Sequence, residues 1–408
     1  MLRITRRQSA GRASRVTSLG RTFTRPLTNQ FASPDDTIYV LGVGNLGKYV
    51  AHSLMKQALG SVTLLFHRPG LKEQWQSAGS QIQCVTDGTP DATSGFGVEV
   101  LPPSEPSAVD QAHQKPDEKP IKNLIVATKT YMTTGALERV KGRLGPRSTI
   151  LFLQNGMGMF GDPLKRLFAI LTPQIGTMDE ASAKIFRDPS TRPAYWAGIC
   201  SAGVYSTSPF TIVHAGKGPL LLGPADARPP LHGQDLTSSS NPMAQRLSQG
   251  SMLEATILSS GAIKESQLQK LVVNAVINPL TAIFRCKNGQ LLDNPTRLTI
   301  MGLLIEEIGP IVRTLLPNAP EMFSDQNLLE FVLSVARKTG ANTSSMLQDI
   351  QAGRRTEIDY INGYVAAQGQ ALGLPYTRNS AVASLVKEQQ VVRDDEVSSR
   401  MFPIGNVL

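Results

Sequence analysis

Residues 37–66 read as strand, glycine turn, helix, strand, and few folds accept that order. Thr37-Ile38-Tyr39-Val40-Leu41 is apolar and rich in β-formers, which predicts a buried strand. Gly42-Val43-Gly44-Asn45-Leu46-Gly47 follows. Leu46, Val50, Leu54 and Ala58 then recur at helical spacing until Gly60, which stops the helix. A second strand, Val62–Phe66, comes at once. In this context a G-x-G-x-x-G turn is a dinucleotide fingerprint, whereas the bare motif says little. Gly42 permits the tight turn, Gly44 lets a diphosphate approach the backbone, and Gly47 allows close helix–strand packing. The helix start offers free N–H groups and the positive end of its dipole. Val43, Asn45 and Leu46 complete this cofactor-binding turn.

The end of the second strand selects the nucleotide. An NAD site usually has Asp or Glu there, to hold the ribose 2′-hydroxyl. Here Phe66 is followed by His67-Arg68-Pro69-Gly70, so no carboxylate is present and Arg68 is placed to meet a 2′-phosphate. NADP(H) is the expected cofactor.

Further strands are predicted over 124–127 and 149–153, with a helix over 136–144 between them. Residues 86–120 carry six prolines among Ser, Asp and Gln, and read as a surface insertion, mobile in part. β-type runs recur between 198 and 222, and a polar connection covers about 224–246. Beyond 260 the texture is helical, with helices predicted over 263–284, 296–316, 325–339, 357–372 and 380–391. The pattern divides the chain into an α/β, doubly wound Rossmann-type nucleotide-binding domain (35–255), an all-α domain (256–395) and a tail (396–408). Ligands in such proteins lie at the carboxyl ends of the strands, in the cleft between domains.

The net charge of +9 allows a nucleic-acid binder, but the charge is misplaced for one. Residues 1–34 hold seven Arg, no Lys and no acidic residue; taking those seven from +9 leaves a body of only +2. An Arg-rich, Ser/Thr-rich leader without acids has the composition of a mitochondrial transit peptide. The matrix is therefore the expected location, with the cytoplasm as the alternative if the leader is a plain basic tail. No recognition helix or aromatic–basic groove is visible. No run reaches the roughly 18 apolar residues a membrane span needs. Cys84, Cys200 and Cys286 form neither a zinc pattern nor a disulfide framework, so they read as packing residues of a reducing compartment, and no metal site is expected.

One constellation in the helical half carries chemistry. Lys270, Asn274 and Asn278 stand four apart, which puts them on one helical stripe. Asn is a poor helix former and gains nothing on an exposed face, while the neighbours are Leu, Val, Ala and Ile. A lysine with two amides suits an oxyacid: amides bind its oxygens and the ammonium donates a proton. A helix edge with chance polar residues is the plain alternative.

At this point the chain resembles the ketopantoate reductase (2-dehydropantoate 2-reductase) family over roughly residues 37–395. The resemblance rests on the glycine turn, on Lys129 after a strand, and on Gln154-Asn155-Gly156-Met157-Gly158. It extends through Lys270 to Asn278-Pro-Leu-Thr-Ala, Asn288-Gly289, Asn342-Thr-Ser-Ser345-Met-Leu-Gln-Asp349 and Thr356-Glu357-Ile-Asp-Tyr-Ile-Asn-Gly363. It implies Lys270 as general acid, Asn274, Asn278 and Asn288 as substrate-binding amides, and Asn342 and Ser345 as holders of the substrate carboxylate. Lys129 and Asn155 would contact the cofactor. Glu357 would be the catalytic carboxylate beside both nicotinamide ribose and substrate. From the residues alone, Ser345 is equally an N-cap and Glu357 equally a first-turn helix Glu.

The implied reaction is NADPH-dependent reduction of 2-dehydropantoate to pantoate, in pantothenate biosynthesis, with hydride to C2 and a proton from Lys270. A paralogue acting on another branched 2-oxo acid is the nearest alternative. A non-catalytic NADP-sensing regulator is the other, and the Lys270–Asn278 stripe argues against it, since a sensor needs no proton donor. A homodimer is compatible with this reading.

Overall fold

The computed structural model describes residues 37–102, 119–154, 178, 181–182, 184–225, 241–316 and 318–397. Residues 1–34, Asn155 and the tail beyond Val397 lie outside the described residues, so the expectations placed on them are not met by any geometry here.

The chain opens with β1 (Ile38–Leu41), α1 (Asn45–Lys56), β2 (Val62–Phe66) and α2 (Pro69–Ser77), in the predicted order apart from α2. Next come β3 (Ile82–Thr86), β4 (Thr89–Thr93), β5 (Gly97–Val100), β6 (Asn123–Val126), α3 (Thr133–Glu138) and β7 (Thr149–Phe152). The α/β half closes with β8 (Ala194–Cys200), β9 (Gly203–Ser208), β10 (Thr211–Gly216), β11 (Leu220–Pro224), α4 (Pro242–Gln249) and β12 (Thr256–Ile257). The main sheet runs β12-β11-β8-β7-β6-β1-β2-β5, and β8 through β5 are parallel. β1, β6 and β7 are buried at every position, which is why they read as apolar runs, broken only by Asn123 and Thr149 at the starts of β6 and β7. β1 pairs with β2 on one side and β6 on the other, with Ile38 opposite both Val62 and Asn123. The chain order therefore reverses direction at β1, and the carboxyl ends of β1 and β6 form the switch point where such sheets bind ligands.

A second sheet, β4-β3-β10-β9, packs against α1. It changes the reading of 86–120. As far as Pro102 this segment is part of the fold: β4 pairs with β3, and β5 pairs with β2 at the edge of the main sheet. β5 is only half-buried, so an edge strand there needs no apolar run. Similarly, the polar connection at 224–246 ends in a helix: α4 starts on Pro242, with Asn241 Oδ1 accepting the Ala244 N–H.

The helical half consists of α5 (Ser260–Phe284), α6 (Pro295–Thr314), α7 (Asp325–Lys338), α8 (Ser345–Gln351), α9 (Asn362–Leu372) and α10 (Thr377–Lys387). α5 crosses its core and carries Pro279 inside. Proline removes the N–H that would bond the Ala275 carbonyl. Asn362, fully buried, supplies it instead: Nδ2 donates to Ala275 O at 2.8 Å and to Asn379 Oδ1 at 3.1 Å. Asn379 donates in turn to the buried Glu307 carboxylate. This chain locks α5, α6, α9 and α10 around the helix that bears Lys270. Among the described residues no helix is long and apolar enough to cross a membrane.

Candidate active site

The glycine turn has the geometry its sequence predicts. Gly42 has φ +100°, and a Cβ there would lie 2.5 Å from the Thr128 amide nitrogen, so the loops after β1 and β6 touch. A Cβ on Gly47 would fall 2.0 Å from Gly42 O, whereas Gly44 faces open space. Gly44 is the N-cap of α1 and has no side chain to satisfy the first N–H groups. A tight turn, an open approach and an uncapped helix start are what a diphosphate requires, so the residues present fit a dinucleotide. Asn45 is occupied otherwise: its amide donates to Val204 O at 3.3 Å and accepts from Ser206 Oγ at 2.5 Å, tying α1 to β9. Arg68 stands exposed at the start of α2, two residues past the end of β2.

At the carboxyl end of β6 the two halves of the chain interlock. Lys129 Nζ donates to Asp349 Oδ2 at 2.6 Å and lies 3.7 Å from Glu357 Oε2. Burial opposes the Lys129 charge, but Glu357 and Asp349 outweigh it and hold its pKa above the ordinary lysine value. Glu357 is 5% exposed, and its Oε1 accepts from both the Thr130 N–H, at 2.9 Å, and the Thr130 hydroxyl, at 2.8 Å. Asp349, also buried, takes Arg354 on its other oxygen at 2.9 Å. Glu357 is not a first-turn α-helix residue: it precedes a single 3₁₀ turn, Ile358–Tyr360, and α9 starts only at Asn362. Its carboxylate is thereby aimed across the domain boundary rather than at a helix dipole.

Lys270 reaches the carboxyl end of β8, where its Nζ donates to Cys200 O at 3.1 Å. Burial lowers its pKa, with Cys200 and Glu357 pulling the other way. One and two turns on, half-buried Asn274 and buried Asn278 make no side-chain hydrogen bond among the described residues, so both amides are free to take a ligand. Cys84 and Cys286 are buried as expected, while Cys200 is only half-buried beside this lysine.

The remaining expected residues gather at the far end of α5. Asn288 N–H donates to Asn342 O at 3.1 Å, and Asn288 Nδ2 to Thr339 Oγ1 at 2.9 Å, while its buried Oδ1 has no partner. Asn342 and Ser345 are exposed, with their side chains uncommitted among the described residues. The N-cap of α8 is Ser344, not Ser345. Ser344 Oγ accepts the Leu347 N–H at 3.1 Å and the Thr281 hydroxyl at 2.7 Å. Sequence reasoning missed Asp349, Thr130 and the Cys200 carbonyl as parts of this centre. Asp349 stood inside a quoted motif, but a partner 220 residues away leaves no trace in local spacing.

Residues 38–227 match the family described as "Ketopantoate reductase PanE/ApbA", and residues 262–390 match "Ketopantoate reductase PanE/ApbA C terminal". The chain belongs to the ketopantoate reductase family. It is 28% identical over 368 residues to a probable 2-dehydropantoate 2-reductase of Schizosaccharomyces pombe, covering 87% of this chain and 97% of that one. It is 25% identical over 423 residues to the ketoisovalerate reductase of Beauveria bassiana, covering 92% and 88%. Among solved structures, a probable 2-dehydropantoate 2-reductase of Bacillus subtilis shares the fold with a TM-score of 0.61 at 24% identity, over 87% of this chain and all of that one. D-Mandelate dehydrogenase, solved with NADH and anilino(oxo)acetate, shares it with a TM-score of 0.66 at 19% identity, over 89% and 99%. Membership makes this protein an oxidoreductase acting on a CH–OH group of a small molecule, dependent on a dinucleotide.

Proposed function

We propose that this reductase uses NADPH to reduce a branched 2-oxo acid, and that the acid is 2-dehydropantoate. The observation that carries the reading is the placing of Lys270 and Glu357. A buried ammonium at the carboxyl end of β8 and a buried carboxylate anchored at the carboxyl end of β6 stand on the β6–β8 side of the switch point of the sheet.

The chemistry a bound nicotinamide supplies is hydride delivery to C2 of the oxo acid. Lys270 then gives its proton to the oxygen that gains charge at C2. Burial lowers the Lys270 pKa and so eases release of that proton, while Cys200 and Glu357 oppose the shift. Cys200 O fixes the direction of Nζ. Asn274 and Asn278 offer amides for the keto and hydroxyl oxygens, and Asn288 has an unsatisfied oxygen for a hydroxyl donor. Asn342 and Ser345 hold the carboxylate, Ser345 with both its hydroxyl and its place in the first turn of α8. Lys129 and Asn155 contact the cofactor, and Arg68 meets the 2′-phosphate.

A second reading, a reductase of 2-oxoisovalerate, is favoured by the likeness to the Beauveria bassiana enzyme. That acid lacks the terminal hydroxyl of 2-dehydropantoate, so the amide pair on α5 would have one oxygen fewer to hold. Steady-state oxidation of NADPH and of NADH, with each acid in turn, decides. Higher kcat/KM for 2-dehydropantoate with NADPH is expected; a preference for 2-oxoisovalerate, or equal use of NADH, would replace the corresponding part of the assignment. We further propose that residues 1–34 direct the enzyme to the mitochondrial matrix, on the strength of their seven arginines and lack of acids.

A further inference from the structure

Lys48 is the fourth residue of α1, one turn from the glycine-capped helix start. It is 3% exposed. Its ammonium donates to Ser206 Oγ at 2.6 Å and to Pro209 O at 2.9 Å, and Ser206 passes the contact on to Asn45 Oδ1. No carboxylate pairs with it among the described residues. Two oxygen acceptors hold the ammonium, but its burial and its place at a helix start both disfavour a cation in the protein on its own. Burial without a counter-ion is costly, and the positive end of a helix dipole repels a positive group. Desolvation accordingly lowers its pKa to about 8.

A methionine or leucine would fill this position without either penalty, so the charge calls for an anion that arrives from outside. The anion-binding end of α1 is one hydroxyl away, since Ser206 bridges the ammonium to the side chain of the helix's first residue. We propose that Lys48 is the buried counter-charge for the diphosphate of the dinucleotide, acting from one turn inside α1. Lys48 is thus a charge-complementing residue, not a catalytic one. The proposal rests on the dinucleotide reading of the turn, but not on the choice between NADPH and NADH.

The test uses the full-length enzyme with Lys48→Met and Ser206→Ala. Three quantities are measured: the thermal midpoint without ligand, the Kd of NADPH and NADH by nicotinamide fluorescence, and the inhibition constant of inorganic pyrophosphate. For Lys48→Met the expectation is an unchanged or raised midpoint, with Kd and pyrophosphate constant both weakened about tenfold. Ser206→Ala keeps the ammonium, so its pyrophosphate constant should stay within about twofold of wild type. A plain structural staple behaves differently: it lowers the ligand-free midpoint and leaves the pyrophosphate constant alone. Loss of ligand-free stability or folding in Lys48→Met, unchanged pyrophosphate inhibition, or equal weakening by both variants overturns the proposal. Failure of the wild type to bind either nucleotide would overturn the dinucleotide reading itself, and this proposal with it.

Discussion

Two adjacent serines separate helix capping from ligand binding, and substituting each in turn isolates the two effects. Ser344 is 5% exposed and does two jobs. It caps α8 through Leu347 N–H, an interaction whose loss typically costs about 1 kcal/mol. It also accepts the Thr281 hydroxyl in a buried contact worth about 1 kcal/mol more. Thr281 can turn instead to Asn278 O, 2.9 Å away, so no hydroxyl is orphaned and the penalty stops there. Ser344→Ala should therefore lower unfolding free energy by about 2 kcal/mol, measured by urea denaturation followed by circular dichroism. Ser345 is exposed with an uncommitted hydroxyl, so Ser345→Ala should change stability by less than about 0.5 kcal/mol. Its effect belongs in substrate KM: a hydrogen bond to a carboxylate is worth about 1.5–3 kcal/mol, which is at least tenfold in KM with kcat little changed. Equal losses of stability from the two variants, or a Ser345→Ala enzyme with normal KM, would refute the division of roles.

Five further outcomes are expected. Lys270→Ala should lower kcat by about 10²–10⁴ with little change in nucleotide Kd, as for a lost proton donor. In Glu357→Gln the alkaline limb of the rate profile should move to lower pH, because the Glu357 charge raises the Lys270 pKa. Arg68→Ala should narrow the preference for NADPH over NADH through cofactor KM; a wild type indifferent to the two would remove that role. A reporter fused behind residues 1–34 should enter mitochondria, and diffuse signal would reduce the segment to a basic tail. Finally, buried His52, on α1 against Thr93, has its pKa lowered by desolvation, and then by Lys56, to about 4. Its folded form stays neutral while the unfolded chain takes up the proton near pH 6.5. Stability from this group is therefore full above pH 6.5 and falls as pH drops toward 4, by at most about 3 kcal/mol. His52→Gln should flatten that part of the urea-denaturation profile.

What could be read from the sequence follows from range. β1, the glycine turn and α1 are specified by residues a few positions apart, and period and glycine placement reveal them. The stripe Lys270, Asn274, Asn278 was legible for the same reason. β5 was not, because a half-buried edge strand has no apolar signature and prolines surround it. α2 starts on Pro69, a known helix-start signal, but only Trp75 is buried along it, so no apolar stripe marks it. The N-cap of α8 was misplaced by one residue because Ser344 and Ser345 are chemically identical; only the contact with Thr281 distinguishes them. Pro279 did carry information of another kind. It guaranteed an unpaired carbonyl at Ala275, but nothing local named Asn362, 87 residues on, as its partner.

The centre is built by pairs too distant in sequence to be read locally, and their arrangement has a mechanical consequence. Lys129 and Thr130 sit just after β6, and they hold Asp349 and Glu357 of the helical half. Cys200, the last residue of β8, holds Lys270. Thr128, in the same loop as Lys129, presses on Gly42 closely enough to exclude any side chain. The loop that orients the carboxylate therefore also fixes the turn that receives the nucleotide. Three residues past Cys200 begins β9, whose Val204 and Ser206 grip Asn45 at the start of α1. Both anchors of the helical half are thus continuous in the chain with contacts to the glycine turn. A change in the turn has a direct route to the proton donor, through Asn45, β9 and Cys200, and to the carboxylate, through Thr128 and Thr130. The glycine turn and both anchors of the helical half are thus joined through continuous contacts, so substitutions at Asn45 or Thr128 should change cofactor affinity and kcat together.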